Sequence, residues 1–197
     1  MKVNEIFSSF QGEGIYTGVP ATFLRLSGCN LNCSFCDTDF TEFKEISVEL
    51  VKESILQHMK NNNTQLLVIT GGEPLLQYEE LKNLCNSLDC EIQIETNGLI
   101  QRIPLENVSY VISPKKDIEK VFQFYKDYHK AYFKFVITDG FNLHSISQML
   151  KKYNYSKTVW LQPEYSNAQE ITSLILSKKP SFKYKISGQL HKYLGVE

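Results

Sequence analysis

Three cysteines, Cys29, Cys33 and Cys36, fall within eight consecutive residues in the spacing C-x3-C-x2-C. Thiolates this close in sequence can wrap one compact soft-metal centre. A structural zinc ion wants four ligands. The other two cysteines, Cys85 and Cys90, stand about fifty residues downstream, and His58, His129, His144 and His191 keep no ligand spacing with the trio. The zinc reading therefore lacks a fourth ligand. An iron-sulfur cluster usually takes four thiolates; three leave one iron open, which hinders simple electron transfer and allows direct chelation of a small molecule. A second motif, Thr70-Gly71-Gly72-Glu73-Pro74, follows 43 residues after Cys29, counted to Gly72. Paired glycines permit close approach of a ligand to the main chain.

The elements that must position these residues follow from periodicity. After Thr41, short apolar runs alternate with amphipathic stretches, the pattern of βα units on a mainly parallel sheet. Strands are predicted at Ala21–Ser27, Leu66–Thr70, Glu91–Glu95, Tyr110–Ile112, Tyr132–Ile137, Thr158–Leu161 and Phe182–Ile186. Ser47 can cap a helix that aligns Val48, Val51, Ile55 and Met59. A second helix is predicted over Leu75–Leu88, and a third from Asn142 with Leu143, Ile146 and Leu150 on one face. Asn167 with Glu170 reads as a capping box before Ile171, Leu174 and Ile175. The segment Asp117–Lys130 reads as helix or irregular, because Phe122, Phe124, Tyr125 and Tyr128 form no clean stripe. A full eight-fold barrel takes about 250 residues. With 197, the expectation is α/β: an incomplete, laterally open (βα) barrel in one compact domain, residues 1–197. In such sheets ligands bind at the C-terminal strand ends, where Gly28–Thr38, Gly71–Pro74, Thr96–Gly98, Ser113–Lys115 and Gln162–Tyr165 all fall.

Composition narrows the function classes. Lys and Arg total 21 against 22 Asp and Glu, a net charge of −1. That is neither the basic excess of a nucleic-acid binder nor a polybasic membrane patch. The longest apolar runs are strand-sized, and the N-terminus carries no signal-peptide h-region. A cytoplasmic setting is expected. Five cysteines, an odd and clustered set, do not suit a secreted disulfide scaffold.

The C-x3-C-x2-C run after the first predicted strand, with Phe35 just before its third cysteine, resembles the signature of the radical S-adenosylmethionine (SAM) superfamily. The Gly-Gly-Glu-Pro motif resembles that superfamily's SAM-contacting turn. The resemblance implies a 4Fe-4S cluster on Cys29, Cys33 and Cys36 whose open iron binds SAM and cleaves it to a 5′-deoxyadenosyl radical. Within the superfamily, further segments resemble the 7-carboxy-7-deazaguanine synthase family: Glu5–Gly14, Gly18, Ala21–Leu26, Cys36-Asp37-Thr38, Glu95–Gly98, Ser113–Lys115, Leu161–Pro163 and Gln189–Lys192. This implies ring contraction of 6-carboxy-5,6,7,8-tetrahydropterin to 7-carboxy-7-deazaguanine with loss of ammonia, initiated at C6, on the route to queuosine. A glycyl-radical activase would use the same cluster on a partner protein, but has no need of Phe10–Gly14. A non-catalytic iron-sulfur or zinc scaffold does not need Gly-Gly-Glu-Pro.

The resemblance also implies residue roles. Phe35, Asp37, Gly72, Ser113, Pro114, Lys115, Gln162, Pro163, Glu164 and Tyr165 match SAM-binding positions. Phe10, Gln11, Gly12 and Thr70 match substrate contacts, and Arg25 the partner of the substrate carboxylate, a task its planar fork suits. Thr38 matches a Mg²⁺ ligand; Asp37 and Asp39 are alternatively plain surface carboxylates. Glu95 and Asn97 are weaker substrate candidates. Cys85 and Cys90 read as small buried hydrophobes. The family implies a homodimer and an electron donor such as flavodoxin or ferredoxin.

Overall fold

The computed structural model describes residues 1–33, 36, 39, 41–138 and 143–196. Strands β1 (Lys2–Phe10) and β2 (Pro20–Leu26) pair antiparallel, and β3 (Lys44–Glu45) adds to the far side of β1. From β2 onward the neighbours run parallel: β4 (Leu66–Gly71), β5 (Glu91–Thr96), β6 (Val108–Ile112), β7 (Ala131–Ile137), β8 (Val159–Pro163) and β9 (Tyr184–Ile186). The order is β3-β1-β2-β4-β5-β6-β7-β8-β9, so β3 and β9 are the edges and the sheet stays open, as the chain length implies. The seven expected strands all form, within two residues of their expected ends; β1 and β3 are additions to them.

The two faces of this sheet differ in chemistry. Side chains alternate along a strand. Leu24 and Leu26, Leu67 and Ile69, Ile92 and Ile94, Tyr110 and Ile112, Phe133 and Phe135, and Val159 and Leu161 pack into one large core. The helices pack on this face. The intervening positions give a small apolar cluster around Phe23 and Val68, then Arg25, Thr70, Gln93, Glu95, Lys134 and Gln162. A parallel sheet covered on both faces would read as continuous hydrophobic runs. Here the second face is polar toward the C-terminal strand ends.

Helices α1 (Val48–Asn62), α2 (Tyr78–Asn86), α3 (Ile118–Tyr125), α4 (Leu143–Lys152), α5 (Ala168–Lys178) and α6 (Leu190–Leu194) complete the fold. The Ser47 hydroxyl accepts the Leu50 N–H at 3.3 Å, and α1 buries Val51, Ile55 and Met59, each worth roughly 1.5–3 kcal/mol of transfer. The second helix begins later than expected, because Pro74–Gln77 winds as a 3₁₀ turn capped by Glu73. The ambiguous segment forms α3 by burying Val121, Phe122 and Tyr125 and leaving Phe124 exposed. In α4, Leu143, Ile146 and Leu150 are buried as expected, while the expected start at Asn142 lies outside the described residues. The capping box is a misreading: Asn167 makes no side-chain cap, because Glu164 already caps the preceding turn through the Ser166 N–H. Leu174 is correspondingly exposed, not inward, while Ile171 and Ile175 are buried. Among the described residues, no helix is long and apolar enough to cross a membrane.

Candidate active site

The site begins where two backbones cross. Gly72 donates its N–H to the Leu26 carbonyl at 3.1 Å, and Glu73 donates to Gly28 at 2.8 Å. A Cβ at Gly72 would lie 2.0 Å from the Gly28 carbonyl oxygen and 3.0 Å from the Cys29 Cβ. At Gly71, where φ is +131°, it would lie 2.0 Å from the Leu26 oxygen. The paired glycines are thus required by the chain's own packing against the segment that enters the cysteine loop, as well as by any ligand.

Glu73 locks this crossing to the next strand. Its buried carboxylate accepts from the Leu75 N–H (3.0 Å), the Thr96 hydroxyl (2.7 Å) and the Asn97 N–H (2.8 Å). Burial raises its pKa above the ordinary carboxylate value, only partly offset by these three donors. Asn97 in turn donates through Nδ2 to Asn30 Oδ1 at 2.8 Å, beside Cys29. The Gly-Gly-Glu-Pro turn, the end of β5 and the cysteine loop form one hydrogen-bonded unit.

Cys29, Cys33 and Cys36 line a single cavity. Cys36 donates its N–H to the Cys33 carbonyl at 3.1 Å, and the Leu31 N–H reaches Cys29 Sγ at 3.4 Å. Among the described residues, no three His, Cys, Asp or Glu side chains gather tightly enough for a single ion. Three thiols around a shared cavity, with a glycine wall, suit a bulkier cluster. Ser113, Lys115, Gln162 and Glu164 line the same cavity. Lys115 donates to the Ser113 hydroxyl at 2.6 Å; burial, joined by the charge of Lys134, pushes its pKa down to about 8.

A second cavity adjoins the first and shares Glu13, Thr70, Glu95 and Lys192 with it. Phe10, Gln11, Gly12 and Arg25 line it, as does Asp39. Arg25 is paired with Glu5, its direct cross-strand neighbour, through Nε at 2.6 Å. The guanidinium also lies 5.3 Å from the Phe7 ring, which stacks on Phe23 at 4.9 Å. Glu95 is the polar centre: it accepts from Gln11 Nε2 (3.0 Å), Gln93 Nε2 (3.1 Å) and the Thr70 hydroxyl (3.0 Å).

The remaining candidates divide. Pro114 is buried in the loop after β6 and Pro163 at the end of β8, and neither lines either cavity. Tyr165 packs edge-on against Tyr193, with Lys192, which lines both cavities, over its ring; Tyr165 itself lines neither. Phe35, Asp37 and Thr38 lie outside the described residues. The Asp39 carboxylate accepts both the N–H and the hydroxyl of Thr41, which hold its pKa down. Cys85 is fully buried, its thiol pushed up to about 12 by burial, and Cys90 is partly buried; neither reaches the site.

Sequence reasoning singled out the segments that hold Glu5, Glu13, Glu73, Gln189 and Lys192 without giving these side chains a role, and it missed Lys134 altogether. Lys134 carried a signal, as a lone charge inside Tyr132-Phe133-Lys134-Phe135-Val136. It is buried and paired with Glu13. Burial alone would raise the Glu13 carboxyl, but Lys134, aided by Gln189 and His191, outweighs it and holds the pKa below its ordinary value.

Comparison with known proteins places this geometry. A family model for the radical SAM superfamily matches residues 24–111. The 7-carboxy-7-deazaguanine synthase of Rickettsia prowazekii is 35% identical, over 100% of this chain and 89% of the relative. That of Bacteroides thetaiotaomicron is 33% identical, over 99% and 98%. Among solved structures, QueE from Escherichia coli superposes with a TM-score of 0.66 at 24% identity, covering 96% of this chain and 94% of that one. SuiB of Streptococcus suis shares the fold at a TM-score of 0.57 and 16% identity, over 85% and 48%. The chain belongs to the 7-carboxy-7-deazaguanine synthase family of the radical SAM superfamily.

Proposed function

We propose that this protein contracts 6-carboxy-5,6,7,8-tetrahydropterin to 7-carboxy-7-deazaguanine with loss of ammonia. The observation that carries the reading is the junction of the two cavities, one lined by three thiols and the other by Arg25 and the Glu95 network. Cys29, Cys33 and Cys36 would hold the 4Fe-4S cluster. Gly72, Ser113, Lys115, Gln162 and Glu164 would hold SAM, with Phe35 and Asp37 alongside. When bound, cluster and SAM supply hydrogen abstraction at the substrate C6.

The chain's own residues bind and orient. Gln11, Gln93 and Thr70 fix the Glu95 carboxylate, which keeps acceptor capacity for an N–H on the substrate's polar edge. Arg25 carries five N–H donors, of which the Glu5 contact uses one, so a carboxylate can add to the same fork. Phe7, Phe10 and Phe23 supply apolar surface for a flat bicycle. Thr38 would hold Mg²⁺, which accepts few protein ligands and keeps substrate and water oxygens. The same reading carries one domain over residues 1–197, a homodimer, flavodoxin or ferredoxin as electron donor, and a cytoplasmic setting. Family membership sets the glycyl-radical activase aside.

The deciding experiment is anaerobic reconstitution with iron and sulfide, followed by SAM, Mg²⁺, a reductant and the carboxytetrahydropterin. The expected result is 7-carboxy-7-deazaguanine with SAM not consumed stoichiometrically. SAM cleavage without any deazaguanine would overturn the substrate assignment, and SAM cleavage that survives Cys33→Ala would overturn the cluster assignment.

A further inference from the structure

The buried pair Glu13–Lys134 sits between three parts of the chain. Lys134 projects from β7 on the polar face of the sheet, with its side chain 8% exposed, and pairs with one oxygen of Glu13. The other oxygen of Glu13 accepts Gln189 Nε2 at 2.9 Å. Around it the segment 187–191 is stitched to residues 12–14: Ser187 Oγ accepts the Gly14 N–H at 2.9 Å, and Leu190 donates its N–H to the Gly12 carbonyl at 3.0 Å. His191 packs so closely that a Cβ on Gly12 would lie 2.0 Å from its Nδ1. This C-terminal strap places Gln189, His191 and Lys192 on the walls of the two cavities.

A buried ion pair is weak evidence for stability, since desolvating both charges offsets most of their attraction. An apolar pair would fill the volume at similar cost. What an apolar pair could not supply is a carboxylate oxygen aimed at Gln189. We propose that Lys134 is a positioning residue: it holds Glu13 so that Glu13 can tie the C-terminal strap across the substrate cavity. The inference rests on the reaction assigned above for its kinetic consequence only.

The test uses the full chain with Lys134→Met, Glu13→Gln, their double variant and Gln189→Ala. Hydrogen exchange, read on reconstituted protein without substrate, reports the strap directly. Lys134→Met and Gln189→Ala should each speed exchange of the 190–196 amides by about tenfold, the signature of a loosened local unit. With carboxytetrahydropterin, the KM should rise about tenfold in Lys134→Met and Glu13→Gln, and no further in the double variant, as for groups sharing one network. Because Lys134, Glu13 and Gln189 also line the thiol cavity, the change in the cluster's spectrum on adding SAM is read in parallel with the exchange.

Unchanged strap exchange in Lys134→Met overturns the proposal, as do single-variant effects that multiply in the double. Loss of the SAM-induced spectral change with a quiet strap would make Lys134 a cofactor contact and also overturn it. Gln189→Ala cuts the same tie from the surface side, so the test stands if Lys134→Met fails to fold. Failure of the wild type to make deazaguanine sinks the proposed reaction alone, because the exchange result is read without substrate.

Discussion

Gly72→Ala should disable the cluster site through a single methyl group. The added Cβ would stand 2.0 Å from the Gly28 carbonyl oxygen, 2.5 Å from its carbon and 3.0 Å from the Cys29 Cβ. Ordinary contact requires roughly 3.5 Å, so the Gly-Gly-Glu-Pro turn and the cysteine loop must separate by about 1.5 Å. The obstacle is backbone on both sides, and the Gly72–Leu26 and Glu73–Gly28 hydrogen bonds resist the opening. Overpacking of this kind costs about 1–3 kcal/mol, and a displacement of about 1 Å at a reacting centre costs on the order of 10²-fold in rate. The expected variant folds, melts a few degrees lower, and falls by about 10²-fold in SAM cleavage. Circular dichroism reads the fold and its melting, deoxyadenosine formation reads SAM cleavage, and iron content after reconstitution reads how far the cluster loads. A Gly72→Ala protein that loads iron and cleaves SAM like the wild type would refute the close-packed crossing described here.

Other substitutions probe the rest of the site. The Glu13 pKa is held below its ordinary value of 4.5, so the ion pair's stabilisation is fully present above about pH 4.5 and is lost as pH falls through the lower folded value. The melting-temperature gap between wild type and Glu13→Gln should therefore close in acid; a gap undiminished at about pH 3 counts against the pair as its source. Gly12→Ala drives a Cβ against His191; it should raise the substrate KM by about tenfold while iron content is unchanged, and a normal KM would show that the strap yields at no cost. Cys85→Ala should retain full iron content and lose about 1 kcal/mol from the core. A drop in iron content there would mean that a fourth thiol takes part.

The parallel strands were legible because their buried faces carry apolar residues at strand length, as in Leu66–Ile69, and the helices because spacings such as Val51, Ile55 and Met59 fit one face. The cysteines and the glycine motif were legible because their chemistry is local in sequence. The missed features are all non-local. β1 has the mixed sequence Lys2–Phe10, and what makes it a strand is pairing with β2, which no local pattern reveals. Glu13 and Lys134 lie 121 positions apart, and Glu73 looked like part of a turn motif until its three donors were seen. Asn167 failed in the opposite way: a sound local signal was displaced by Glu164, a nearer competitor for the same turn.

The sheet keeps its apolar core on one face and its chemistry on the other, and this has a consequence for how the protein can change. Cavity-facing residues such as Phe7 and Arg25 lie on the face away from the large core, so exchanging them removes nothing from it. Lineages, or a library restricted to those alternate positions, can explore new substrates while drawing little on the stability reserve. The two crossings at Gly12 and Gly72 are the exceptions, where variation in specificity and loss of the fold's local geometry arrive together.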